Sequence, residues 1–169
     1  MFVLGLDPGV SRCGYCVLAK RRGRAEVRAL GVITTDPQLP IHVRLAELQA
    51  EVRSLLGEHP ISAMAIERVL FQVNVRTAMS VGQASGVVMA EAAVSGCEVV
   101  EYSPNQVKQA VAGYGSASKE QVQTMVKTLL DLPEIPRPPD AADAAALALC
   151  HLAMEPVRHA VTIASGGRR

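Results

Sequence analysis

Apolar runs broken by short polar interruptions mark the first thirty-four residues, and that rhythm predicts three strands. "MFVLGLD" (1–7) is apolar until it meets an acid, and residues 14–19 form a second run. "KRRGR" reads as a solvated hairpin tip, after which residues 25–34 return as a third strand. Connections this short predict an antiparallel meander.

At residue 41 the period changes. Ile41, Leu45, Leu48, Val52 and Leu55 recur at helical spacing, predicting a helix over 41–57 that Gly57 and Pro60 end. "ISAMAI" (61–66) is a short apolar run, predicted as a buried strand ending at Glu67. Residues 76–95 form a long apolar helix with Gly82 and Gly86 four apart. Each helical glycine costs up to ~1 kcal/mol, so a close packing partner is expected there, either the sheet or a second subunit.

A further strand covers 97–102. Two capping boxes follow, Ser103-Pro104-Asn105-Gln106 and Ser118-Lys119-Glu120-Gln121, each opening a helix. "LPEIPRPP" cannot continue a helix. The last helix starts at "DAADAAALALCHL", and "ASGGRR" reads as a flexible tail. The prediction is one α/β domain over 1–155 and a tail over 156–169. Its five-stranded sheet, in the order βββαβαβα, is mixed, mostly parallel and flanked by helices.

Composition fills in the core. The chain of 169 residues is 49% hydrophobic but only 3% aromatic, with no Trp, so the core must be aliphatic. No apolar run reaches the ~20 residues of a membrane span, and no basic-then-apolar leader opens the chain. A net charge of +1 does not mark a nucleic-acid binder. It leaves one open, because acids set aside in a metal site would make the remaining surface clearly basic. Cys13 and Cys16 suggest a redox pair, but three positions apart on a strand they point to opposite faces. Reduced, buried thiols are expected at Cys13, Cys16, Cys97 and Cys150, as in a cytosolic protein.

The candidate chemistry lies in four acids. Asp7 ends the first strand and Glu67 the fourth, while Asp140 and Asp143 open the last helix on one face. Each has a plain alternative: Asp-Pro-Gly is good turn chemistry, Glu67 sits at a strand exit, and Asp140 and Asp143 suit a helix N-terminus as cap and first-turn acid. Taken together they say more. Strand ends of an α/β sheet share one edge, and carboxylates gathered there repel unless a divalent cation joins them. Hard oxygen donors without His or Cys suit Mg²⁺ or Mn²⁺. Two such ions about 3.5–4 Å apart can activate a water and stabilise a leaving oxygen in phosphodiester cleavage.

Two lysines sit where a phosphate would want them. Lys119 lies in the first turn of a helix, where the dipole disfavours a cation, and "GYGS" with Gly113 and Gly115 precedes it. Lys108 is near the start of the preceding helix. Both also fit a solvated helix face. In the loop "RVLFQVNVRT", Phe71 suits either the core or stacking on an unpaired base.

"GLDPG", "AIERV", "GQASGV", "QVKQAVAGYGSASKEQVQTMV" and "DAADAAALALCH" together resemble the RuvC family of Holliday junction resolvases, in the ribonuclease H-like superfamily, over residues 1–153. The resemblance implies that Asp7, Glu67, Asp140 and Asp143 are the catalytic, metal-binding acids, and that Lys108 and Lys119 contact DNA backbone near the scissile phosphate. It implies a cytoplasmic bacterial homodimer, paired through the helix carrying Gly82 and Gly86. Such a dimer nicks four-way junctions symmetrically, leaving 5′-phosphate and 3′-hydroxyl ends, with two Mg²⁺ per site, Mn²⁺ as a substitute, and RuvA and RuvB as partners. Family members often carry Phe three residues after the strand-end Glu. Here that place is Leu70, with Phe71 next, so either residue is the candidate for contact with the crossover bases. The rival readings are an actin- or sugar-kinase-like ATPase domain, which shares the fold and a DxG turn, a DNA-structure-binding module without catalysis, and another ribonuclease H-like nuclease.

Overall fold

A computed structural model of the chain describes residues 1–68 and 75–166, with side chains described at 1–68 and 78–156. Leu70 and Phe71 lie outside the described residues. The expected three-strand meander is present as β1 (Phe2–Asp7), β2 (Arg12–Arg21) and β3 (Arg24–Thr34). The helix α1 (Ile41–Glu58), β4 (Ala63–Glu67), α2 (Val75–Val94) and β5 (Glu98–Tyr102) follow. Then come α3 (Pro104–Ala112), α4 (Lys119–Leu129) and α5 (Pro139–Gly166).

The sheet order is β3-β2-β1-β4-β5. β2 runs antiparallel to both β1 and β3, whereas β1–β4 and β4–β5 are parallel. Its pairings are therefore evenly divided rather than mostly parallel. The cause is β2, a hairpin strand placed between two strands of the opposite direction. A register shift between Val17 and Leu18 marks a bulge against β3.

Period-2 alternation sorts the strands onto two cores. Leu4, Leu6, Cys13, Val17, Met64 and Ile66 pack with Leu48 and Val52 of α1 and Ala84 and Val88 of α2. Val3, Cys16, Leu18 and Ala65 face the other way, against α3, α4 and α5. Cys13 and Cys16 thus lie on opposite faces, and all four cysteines are free and buried. Burial pushes the Cys13 and Cys150 thiols up to about 12, which makes them poor nucleophiles and metal ligands. On α1 the predicted stripe is buried from Leu48 to Val52, but Ile41, at the helix start, is exposed.

α5 is the central helix of its layer, and its alanines are the reason it sits so low on the sheet. Ala141, Ala142, Ala144, Ala145 and Ala148 are essentially buried. Opposite them β1 and β2 carry glycine: a Cβ on Gly5 would stand 2.0 Å from the Ala144 backbone oxygen. At the far end the buried Tyr102 hydroxyl and His151 Nδ1 share a hydrogen bond of 3.0 Å, pinning β5 to α5. α5 continues through Pro156 to Gly166, so residues 156–166 are helical where a tail was expected. Proline removes one helical hydrogen bond, and the helix runs on past it.

Candidate active site

Alternation also decides where the acids go. Asp7 follows Val3 and Gly5 on the α5 face of β1, and Glu67 follows Ala65 on the same face of β4. The parallel register Leu6↔Ile66 puts Asp7 and Glu67 next in step at neighbouring strand ends, with backbones roughly 5 Å apart. Gly14 of β2 pairs with Asp7 on the other side. A Cβ on Gly14 would stand 2.0 Å from the Asp140 backbone oxygen, so the first turn of α5 rests directly on this strand. Pro139 opens α5, which places Asp140 inside the first turn rather than at the cap position. Asp143 lies one turn on.

The electrostatics match this placement. Asp7 is pushed up to about 7, first by burial and then by the negative charges of Asp143, Glu67 and Asp140, with Lys119 pulling the other way. Burial also raises Glu67, followed by Asp143, against the opposing pull of Lys119 and Lys108. All four acids therefore act within one field. Asp140 Oδ2 is buried without a hydrogen-bond partner, and its nearest cation is Arg12 Nε at 3.5 Å.

Lys119 is the first residue of α4, behind the predicted capping box at Ser118. Its Nζ donates to Asp143 Oδ2 at 2.5 Å. Partial burial pulls its pKa down, but the bond to Asp143 and the charges of Asp143, Asp7 and Asp140 outweigh it, and Lys119 stays above its ordinary value. Lys108 lines one cavity of about 290 Å³ with Glu67, Lys119 and Asp143. Of the two glycines before Lys119, Gly113, at φ +89°, is the left-handed cap that ends α3.

Among the described residues no three of these side chains form a finished metal cage. The donor set still fits a hard divalent cation. It consists of carboxylate oxygens, it includes a buried oxygen without a hydrogen-bond partner, and it holds Asp7 at a pKa that a cation would reverse. The sequence pattern left Arg12 unnoticed. Its signal was the same alternation, since Arg12 shares a strand face with Gly14.

A five-stranded mixed sheet with acids delivered to one face by β1, β4 and the last helix defines a ribonuclease H-like protein of the acid-lined nuclease type. The family model for crossover junction endodeoxyribonuclease RuvC matches residues 3–151. The chain belongs to the RuvC family of crossover junction endodeoxyribonucleases. The RuvC of Natranaerobius thermophilus is 48% identical over 151 residues, covering 89% of this chain and 94% of that one. Thermus thermophilus RuvC superposes with a TM-score of 0.86 at 38% identity, covering 94% of this chain and 97% of that one. The same protein in complex with a Holliday junction substrate gives 0.88 at 39%, covering 94% and 96%.

Proposed function

We propose that this chain cuts four-way DNA junctions by paired, symmetric nicks in recombination and repair, with Asp7, Glu67, Asp140 and Asp143 holding two Mg²⁺ ions, for which Mn²⁺ substitutes. The observation that carries this is the convergence of Asp7 and Glu67, at neighbouring strand ends, with the first turn of α5 that bears Asp140 and rests on Gly14; burial and then the charges of the other acids raise the Asp7 carboxyl accordingly. Such a site favours binding a divalent cation at neutral pH. When bound, the ions supply an activated water and stabilise the departing 3′ oxygen. The carboxylates orient the ions, and the strand ends and first helical turn hold the carboxylates. Lys119 and Lys108 receive the phosphate: both project into the cavity beside Glu67 and Asp143, and Lys119 exchanges Asp143 for a phosphate oxygen. Products carry 5′-phosphate and 3′-hydroxyl ends.

Paired nicks need two sites. A Cβ on Gly82 or Gly86 would meet nothing within 4 Å among the described residues. Ala84 and Val88 pack this stretch of α2 on the sheet, and the glycine face is the surface offered to a second copy of the chain. The Thermus thermophilus relative in complex with a Holliday junction supports the same substrate here. RuvA and RuvB are the expected partners in branch migration, and Leu70 or Phe71 the expected contact at the crossover. Family membership favours this reading over the ATPase. The test is cleavage in Mg²⁺ of a four-way junction beside a linear duplex of the same sequence. The junction is cut and the duplex spared; equal cutting of both would overturn junction specificity.

A further inference from the structure

We infer that Arg12 is a DNA-backbone contact, gripping the substrate strand on the flank of the acids opposite Lys108 and Lys119. This rests on the nuclease reading above and adds a residue to it.

The position follows from topology. Asp7 and Glu67 occupy β1, the central strand, and its neighbour β4, and Lys108 lies beyond them on α3, after β5. Arg12 stands on the other side, as the first residue of β2, on the strand face that α5 covers. A strand laid across the acids toward Lys108 and Lys119 therefore leaves the site past Arg12.

The side chain is available. It is 61% exposed, and its Nε reaches Asp140 Oδ2 only at 3.5 Å, longer than an ordinary hydrogen bond. Only the Arg12 side of the pair is exposed, Asp140 Oδ2 being buried, and at that length no hydrogen bond holds the guanidinium, which is free to turn to a phosphate and bind it in a bidentate manner.

The backbone beneath it is held firmly. The Arg12 carbonyl oxygen lies where a Cβ on Gly9 would be only 2.3 Å away, so the turn closes tightly on glycine. The buried Thr35 hydroxyl donates to the Val10 carbonyl at 2.7 Å. Arg44 Nε donates to the same Thr35 oxygen at 2.9 Å, and Arg44 Nη2 to Ser11 Oγ at 2.6 Å. α1 thereby braces the turn that carries Asp7 and Arg12. An exposed cation on a braced turn beside an acid site is suited to positioning a polyanion, since the charge needs no loop ordering when the strand arrives.

The test measures binding of a four-way junction over a range of salt, in a Glu67→Gln background that leaves the DNA uncut. Arg12→Ala and Arg12→Gln lower the slope of log K against log salt by about 0.9, the value of one lost phosphate contact. Arg12→Lys restores the slope while recovering only part of the affinity, because it keeps the charge and loses the fork. Arg12→Gln covers the case in which the alanine variant folds poorly. An unchanged slope in the Ala and Gln variants would overturn the inference. Wild-type protein with Mg²⁺ and the same junction is the control: if it makes no cuts, the nuclease reading fails, whatever Arg12 does.

Discussion

Gly14 and Asp140 touch through backbone alone: a Cβ on the glycine would lie 2.0 Å from the Asp140 carbonyl oxygen. Because Gly14 also pairs with Asp7, one missing methyl group sets the distance between the first acid and the helix that brings the last two. Gly14→Ala therefore lifts the α5 start off the sheet. It should cost about 1–3 kcal/mol of stability, as overpacking does, and reduce cleavage at least tenfold with every acid intact. Thermal melting and single-turnover cleavage measure both. Gly57, near the end of α1 with open space around it, is the control: Gly57→Ala should stabilise by up to about 1 kcal/mol and leave cleavage unchanged.

Replacing any of the four acids by its amide should separate binding from chemistry. Asp7→Asn, Glu67→Gln and Asp143→Asn keep shape and remove the charge that holds a cation. Losing several kcal/mol of transition-state stabilisation slows cleavage by roughly 10³-fold or more. Junction binding in a gel-shift assay should persist. Parallel loss of binding would mean that the acids shape the DNA surface rather than the reaction.

Protonation of Asp7 gives the fold a pH dependence of known sign. Burial, then Asp143, Glu67 and Asp140, raise this carboxyl to about 7, against 3.8 for an ordinary aspartate. Between those values the folded chain holds a proton that the unfolded chain has released. Stability without divalent cations therefore falls as pH rises through that window. A loss on the order of 2 kcal/mol would lower Tm by roughly 4–8 °C between pH 5 and pH 7.5. Mg²⁺ should recover the loss at pH 7.5 and have little effect at pH 5. Asp7→Asn should flatten the profile; a slope that survives it would place its origin elsewhere.

Lys119→Ala removes the cation that faces Asp143. Cleavage should fall by more than tenfold while junction affinity changes by less than threefold, because the charge matters most where phosphate charge develops. Comparing single-turnover rates with equilibrium binding reads the difference. Equal losses in both would make Lys119 an ordinary DNA contact.

Much of this fold was legible before any coordinates, for physical reasons. Short apolar runs ending in an acid placed Asp7 and Glu67 at strand ends, and the capping boxes at Ser103 and Ser118 appear as expected, bonded in both directions. What escaped was set by contacts between distant residues. Proximity of α5 to Gly5 and Gly14 has no local signal, because a strand glycine reads only as a weak strand former. Arg12 was passed over because what marks it out is the Asp140 carboxylate, brought beside it from the far end of the sequence. The continuation of α5 through Pro156 contradicts the usual reading of proline as a stop, since a neighbouring run of good helix formers outweighs a single lost bond. Gly82 and Gly86 signalled close packing, yet nothing described in the same chain packs on them.

The most direct test of the central claim is to incubate the protein with a synthetic four-way junction and Mg²⁺ and map the cuts on all four strands. Two nicks at symmetric positions on opposing strands, sealable by ligase and lost on chelation, are the predicted result. Uncut junctions, or cuts that persist undiminished in Asp7→Asn, would contradict it.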